Sequence, residues 1–373
     1  MLKYISNKIS YLFVSLALVC ASNVDSRAPA KKLLMVISSH GENNGETQPG
    51  FEFDELSKAY LTFHNNGVVV DIASPEGGLA EADQYNPDQP FNQAFLADRQ
   101  AQQKLQNSLK LSTINASNYN AVFVVGGKGA MFDLHDHQPL QAIISDIYQS
   151  GGTIGAVCHG PAALVNVKLN NGNYLVAGKA VNAFTNQEEK LFGKKWSEKF
   201  EFMLEDKLKQ RTARFESSPM MLSHVAIDNR LITGQNPTST VDVAKAMLET
   251  MGIKNPKINR YKDDQTLAIV SKFLRGKSDV INTYRANKSK FQPELLGMYG
   301  YYYFLEAKTK KQTADALTLL QVAQEDMKHP QIALQIAKAY QQLGDIKQAK
   351  EVITELLREH PDMNSAQELL KQL

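Results

Sequence analysis

The sequence predicts an α/β protein built on a doubly wound parallel sheet, followed by an all-α helical region. Three observations carry this. Runs 33–37, 68–72, 121–125 and 153–157 are apolar throughout rather than alternating, as in strands covered on both faces. Helical periodicity lies between them, which argues parallel strands joined by crossover helices. After about residue 260 no strand-like run follows, and helical patterns fill the remainder.

The 373 residues leave room for two or three domains. The expected division is a signal peptide over 1–21, an α/β catalytic domain over 31–255 and a helical domain over 262–373. At the N-terminus Lys3 and Lys8 precede an apolar run over 11–19, and Val19, Cys20 and Ala21 supply a cleavage-type sequence. That pattern predicts a cleaved signal and a periplasmic or secreted protein. The run is too short to span a bilayer. A membrane lipoprotein acylated at Cys20 is the less favoured alternative, because Ala17-Leu18-Val19 matches a lipidation box poorly. Cleavage after Ala21 leaves Cys158 as the one cysteine, so no intramolecular disulfide is expected. A hydrophobic share of 43% and a charged share of 21% are those of a globular protein. The net charge of +2, with scattered basic residues, predicts no nucleic-acid partner.

Residues 22–30 read as a linker and 38–50 as a polar, glycine-rich loop. A helix is expected over 51–65, with Phe53, Leu56, Tyr60, Leu61 and Phe63 at helical spacing and Gly67 ending it. Residues 76–118 form a long polar insertion with helical stretches. The strand over 121–125 leads into Gly126-Gly127-Lys128-Gly129. A helix over 140–150 stops at Gly151-Gly152, and the strand over 153–157 runs into Cys158. Short strands follow at 181–183, 225–227 and 231–233, then a helix over 238–251. In such sheets ligands bind at the carboxyl ends of the strands, where Cys158 sits. In the tail, Ala337, Tyr340, Gly344, Ala349, Leu356 and Pro361 fall at tetratricopeptide spacing, with a degraded copy over 299–330.

Cys158 is the candidate nucleophile. Ala156 and Gly160 flank it as small residues flank the nucleophile of a sharp strand-to-helix turn, which is expected to expose the sulfur. A helix beginning at Gly160 would bring its positive end near and lower the thiol pKa. Backbone N–H groups there, with those of Gly126 and Gly127, would form an oxyanion site. His159 follows as base, with Glu188, Glu189 or Glu55 as the acidic partner. Asp133, His135, Asp136 and His137 offer metal-ligand types, but a solvated loop is the preferred reading, and no metal or organic cofactor is expected.

Five segments together resemble the ThiJ/PfpI branch of the class I glutamine-amidotransferase-like superfamily. They are Gly50-Phe51-Glu52-Phe53-Asp54-Glu55-Leu56, Val125-Gly126-Gly127-Lys128-Gly129-Ala130-Met131-Phe132-Asp133, Gly155-Ala156-Val157-Cys158-His159-Gly160-Pro161-Ala162, Ala183-Phe184-Thr185-Asn186-Gln187-Glu188-Glu189 and Leu231-Ile232-Thr233-Gly234-Gln235-Asn236-Pro237. The likeness is greatest to the glutathione-independent glyoxalases, also described as heat-shock chaperones, and covers about residues 31–255.

The resemblance implies a flavodoxin-like sheet. It implies Cys158 as nucleophile, His159 as triad histidine, Glu189 ahead of Glu188 as triad carboxylate, and Glu55 as hydrogen-bond partner of the sulfur. Gly127 and the His159 N–H would hold the oxyanion. Lys128 departs from the pattern, since relatives commonly carry a histidine there, which leaves substrate preference at the pocket mouth open. The adjacency of His159 to the nucleophile disfavours glutamine hydrolysis. The implied reaction converts methylglyoxal to lactate through a hemithioacetal and a thioester, with His159 or Glu55 moving a proton between the two carbons. A small reactive aldehyde is then the partner of the site, and a peptide or protein the partner of the repeats; homodimerisation stays open. A chaperone or binding role, and a cysteine amidase or peptidase, are the competing functions.

Overall fold

A computed structural model describes residues 30–373 of the chain. The expected signal peptide, with Cys20, and residues 22–29 of the expected linker lie outside the described residues. The strands are β1 (Lys32–Val36), β2 (Val69–Ser74), β3 (Leu109–Lys110), β4 (Ala121–Val124), β5 (Thr153–Val157), β6 (Ala180–Val181), β7 (Arg214–Phe215), β8 (Val225–Asp228) and β9 (Leu231–Gly234). Their main sheet has the order β3-β2-β1-β4-β5-β9-β8. All neighbours in it are parallel except β8, which returns antiparallel on β9. The inner strands β1, β4, β5 and β9 are buried along nearly their whole length, which is why their sequences do not alternate. β6 and β7 do not join this sheet but form a separate parallel pair.

The helices of this part are α1 (Phe53–His64), α2 (Pro90–Ala97), α3 (Arg99–Gln106), α4 (Ala130–Asp133), α5 (Gln138–Gln149), α6 (Asn186–Phe192), α7 (Leu204–Gln210) and α8 (Thr240–Thr250). Two apolar layers sandwich the sheet. Phe53, Leu56, Tyr60 and Phe63 of α1 join Val243, Ala244 and Met247 of α8 against one face. Leu140, Ile143, Ile144 and Ile147 of α5 cover the other. The chain therefore reverses direction between β1 and β4, and the loops after these strands open a crevice at their carboxyl ends. This is the flavodoxin-like arrangement, followed by a helical C-terminal region.

That region comprises α9 (Lys262–Leu274), α10 (Val280–Ala286), α11 (Pro293–Leu305), α12 (Lys310–Met327), α13 (Pro330–Leu343), α14 (Ile346–Glu359) and α15 (Asn364–Gln372). Small residues let the α13 and α14 axes approach, with Ala337 and Ala349 fully buried. Gly344 caps α13 at φ 88°, a left-handed conformation in which glycine carries no Cβ penalty. Residues 31–373 form one compact unit, so the helical region is packed on the α/β part. No described helix is long and apolar enough to cross a membrane.

The expected solvated loop at 133–137 is instead a structural junction. An Asp133 carboxylate oxygen accepts the Ser39 N–H at 2.7 Å, His135 is buried beside Phe202, and His137 Nδ1 accepts the Leu140 N–H to cap α5. Only Asp136 is exposed. That His135 is buried and Asp133 and His137 half-buried follows from their use as caps and ties. Among the described residues no cluster of three or more metal-type ligands converges.

Candidate active site

β5 ends at Val157, and the next residue, Cys158, takes φ 61°. A non-glycine residue held in this left-handed region costs of order 1–3 kcal/mol and persists only where its surroundings impose it. They do so here. The Cys158 N–H donates to Gly234 O at the end of β9, and its carbonyl accepts the Phe184 N–H, both at 2.9 Å. The turn aims the sulfur at the crevice, but Cys158 is 4% exposed. The expected exposure is thus corrected to a buried sulfur on the floor of a pocket. The expected helix after it is only a five-residue 3-10 turn, Gly160–Leu164. Burial, and then negative charge on Glu55 and Glu52, pushes the Cys158 thiol up rather than down. The cause is desolvation of the thiolate, which outweighs so short a turn's dipole.

The partners of the sulfur lie on three elements. His159 folds back so that Nδ1 is 3.4 Å from Sγ, and its Nε2 is 2.8 Å from Glu189 Oε2. Glu189 sits in the first turn of α6 and is 5% exposed. If Nε2–H donates to this carboxylate, Nδ1 is left as the acceptor that faces the thiol. Phe184 lies against the imidazole, with ring centroids 4.6 Å apart. Glu188 has another task. Its Oε2 closes the capping box with Thr185 and accepts from Gln235, while Oε1 accepts from Met221 and Asn236. Geometry thus separates two adjacent glutamates, one on His159 and one tying the start of α6 to Met221 and to the Gln235-Asn236 turn.

Glu55 of α1 is fully buried, and its Oε2 accepts the Gly126 N–H at 2.6 Å. Burial, with the charge of Glu52 adding to it, holds this carboxyl well above the usual carboxylate range. Contact with the Cys158 sulfur acts the other way, lowering Glu55 and raising the thiol, as for a thiol that faces a carboxylate. Because Gly126 spends its N–H on Glu55, it is not available to an oxyanion, contrary to expectation. Gly126 matters through its missing side chain: a Cβ would stand 2.7 Å from Glu55 Oε2 and from Cys158 Cβ. Gly127, at φ 94°, turns its N–H to the sulfur. Lys128 lines the same pocket, as does Glu52. Burial and the carboxylates of Asp54 and Asp83 push Glu52 up to about 7, against the pull of Lys128. Sequence reasoning did not single out Glu52; its position two residues into the Gly50 segment was the available signal.

The sheet order, the glycine-clamped turn and this constellation coincide with a family model, DJ-1/PfpI family, that matches residues 47–250. The chain belongs to the DJ-1/PfpI family. A Schizosaccharomyces pombe protein named glutathione-independent glyoxalase hsp3102 is 31% identical over 245 residues, covering 61% of this chain and 100% of its own. The Saccharomyces cerevisiae protein named glutathione-independent glyoxalase HSP31 is 27% identical, over 59% of this chain and 98% of its own. Among solved structures, the Francisella tularensis Rapid Encystment Protein 24 kDa is 35% identical with a TM-score of 0.55, over 59% of this chain and 99% of that one. A crystal structure of glyoxalase III from Candida albicans, 24% identical with a TM-score of 0.55, shares the fold; it covers 59% of this chain and 97% of its own. A tetratricopeptide repeat model matches residues 309–373. As a DJ-1/PfpI chain with glyoxalase-named relatives, the protein is an enzyme of that type carrying an added helical repeat region.

The pocket has a volume of about 490 Å³. Asp83, Gln89 and Phe91 of the expected insertion line one side of it, and residues beyond 260 line another. The second contribution was not expected from the sequence.

Proposed function

We propose that this protein converts methylglyoxal-type 2-oxoaldehydes into 2-hydroxy acids without glutathione, with Cys158 as nucleophile. The observation that carries the reading is the continuous line Cys158–His159–Glu189 at the floor of a pocket, with the buried Glu55 beside the sulfur. His159 Nδ1 takes the thiol proton as Sγ adds to the aldehyde carbon, giving a hemithioacetal. Glu189 holds the imidazole and offsets its positive charge. The carbon-bound proton at C1 then moves to C2 through an enediol, with His159 as the base nearest the sulfur and Glu55 as the other group in reach. The product of this transfer is a thioester of the 2-hydroxy acid. Water hydrolyses it and restores the thiol, so the sum is one aldehyde and one water to one hydroxy acid, with no external oxidant. The Gly127 and His159 N–H groups are the donors proposed for the developing oxyanion.

Purified Cys158→Ala tests this. Turnover of methylglyoxal should fall by about a thousandfold or more, because a covalent step is lost. Undiminished turnover would sink the proposal.

A second activity rests on the repeat match at 309–373. We place a peptide or protein partner on the groove between α12, α13 and α14, lined by Tyr340, Val352 and Leu356. Suppression of aggregation that survives Cys158→Ala but is lost on mutating that groove would support it. The division into a catalytic part over 31–255 and a helical part over 262–373, and export by a cleaved signal, belong to the same proposal. Fractionation of tagged protein from intact cells tests the latter.

A further inference from the structure

The pocket that holds Cys158 is closed on its outer side by the helical region, not by the α/β part. Leu295, Met298 and Tyr302 of α11 line it opposite Phe184, Phe192 and Met221. The two sides touch: the Phe192 and Tyr302 rings meet edge to face with centroids 5.0 Å apart. Lys190 pairs with Glu306 at 3.5 Å just beyond this contact. Deeper in, Lys58 of α1 is 3% exposed and reaches across to Asp263 and Asp264 of α9, the latter at 2.9 Å. The loop carrying Met221 and Leu222 packs into the apolar cluster of the helical region. The outer wall is therefore anchored at several points and shaped before any substrate arrives.

Its chemistry selects among substrates. The carboxylates around the pocket are already engaged: Asp54 accepts from Asn92, Asp83 from the Gly50 N–H, Asp263 from Lys58, and Glu188 from Asn236. The polar residues of the lining, Glu52 and Lys128 among them, come mainly from the α/β side, while α11 presents Leu295, Met298 and Tyr302, an aliphatic and aromatic surface. A volume of about 490 Å³ falls among pockets that enclose drug-sized ligands, roughly 300–1,000 Å³. The methyl group of a three-carbon oxoaldehyde would leave most of that apolar space without contacting atoms.

We infer that α11 is a specificity wall, and that the substrates of this enzyme are 2-oxoaldehydes carrying an aryl or comparably bulky apolar group. The aldehyde and ketone oxygens lie at Cys158, His159 and Gly127, while the ring lies against the α11 wall at Leu295 and Met298. This rests on the oxoaldehyde reading above and narrows it. Met298 is 43% exposed, so it can be changed with little effect on folding.

The test compares kcat/KM for phenylglyoxal and methylglyoxal in the full chain. The wild type should favour phenylglyoxal, and Met298→Glu, or Met298→Ala with Tyr302→Ala, should lower the ratio of the two constants roughly tenfold. A ratio that stays within about twofold in both variants overturns the inference. A second arm needs no turnover: in the Cys158→Ala background, acetophenone binding measured by calorimetry should weaken roughly tenfold on adding Met298→Glu. Binding indifferent to Met298 overturns the wall. Wall-dependent acetophenone binding in a protein that turns over neither aldehyde supports the wall and removes the oxoaldehyde reaction.

Discussion

Cys158, Gly126 and Gly127 owe their positions to main chain: β4 and β5 end beside each other, and the two turns are pinned as Gly234 O accepts the Cys158 N–H, the Phe184 N–H donates to Cys158 O and Glu55 accepts the Gly126 N–H. Leu295, Met298 and Tyr302 stand across the same pocket on a helix from another part of the chain, held by side-chain packing and ion pairs. The difference teaches how the pocket divides its work. The covalent chemistry proposed for Cys158 tolerates little displacement, and the groups it would use sit on backbone that the sheet over-determines. Fit to the rest of a substrate depends on surface shape, which side chains on a separately packed helix can supply.

The largest effect should come from the tie between the two sides. Lys58→Ala leaves Asp264 buried without its cation, and the expected loss is about 3–5 kcal/mol in urea unfolding. A loss under about 1 kcal/mol would show that the wall is not fixed through α9. Next is Gly126→Ala. Its added methyl meets the Glu55 carboxyl and the backbone of the nucleophile turn, costing roughly 1–3 kcal/mol and displacing the sulfur. Methylglyoxal turnover should fall with it; intact turnover would mean that the inner site is less backbone-determined than argued. Gly344→Ala, at φ 88° with no atom within 4 Å of a new Cβ, should cost only about 1–2 kcal/mol and leave turnover unaltered.

The smallest effect concerns pH. Burial pushes Glu52 up to about 7 in the folded protein from its ordinary 4.5. Between these values the unfolded chain has already released the proton that the folded chain keeps. Stability is therefore fully present below the lower value and declines as pH rises through the upper one. Glu52→Gln should flatten the fall in Tm between pH 5 and pH 8. The flattening is partial, because buried Asp133 is pushed up to about 7 as well. An unchanged slope would remove Glu52 from the account.

Much of the inner site was legible because it is local. A strand running into Cys158-His159, paired glycines after another strand and a Glu in the first turn of α1 each leave a short signature. The burial of the sulfur was not legible, since small flanking residues report a sharp turn and not what covers it. The duty of Gly126 was misread for a related reason. Its N–H is claimed by Glu55, a residue 71 positions away, and that pairing exists only once α1 packs on the sheet. The loop at 133–137 looked solvated because its residues are polar; the fold uses that polarity for capping.

The sequence by itself determined the layered α/β fold, the turn that carries Cys158 and His159, and the helical repeats, because strand burial, turn geometry and helix pairing are written at short range. Tertiary structure decided the rest. It chose Glu189 for His159 and gave Glu188 to a junction, since adjacent residues on a helix point in different directions. It also seated α11 over the pocket, since packing between distant segments depends on complementary surfaces that no local pattern encodes.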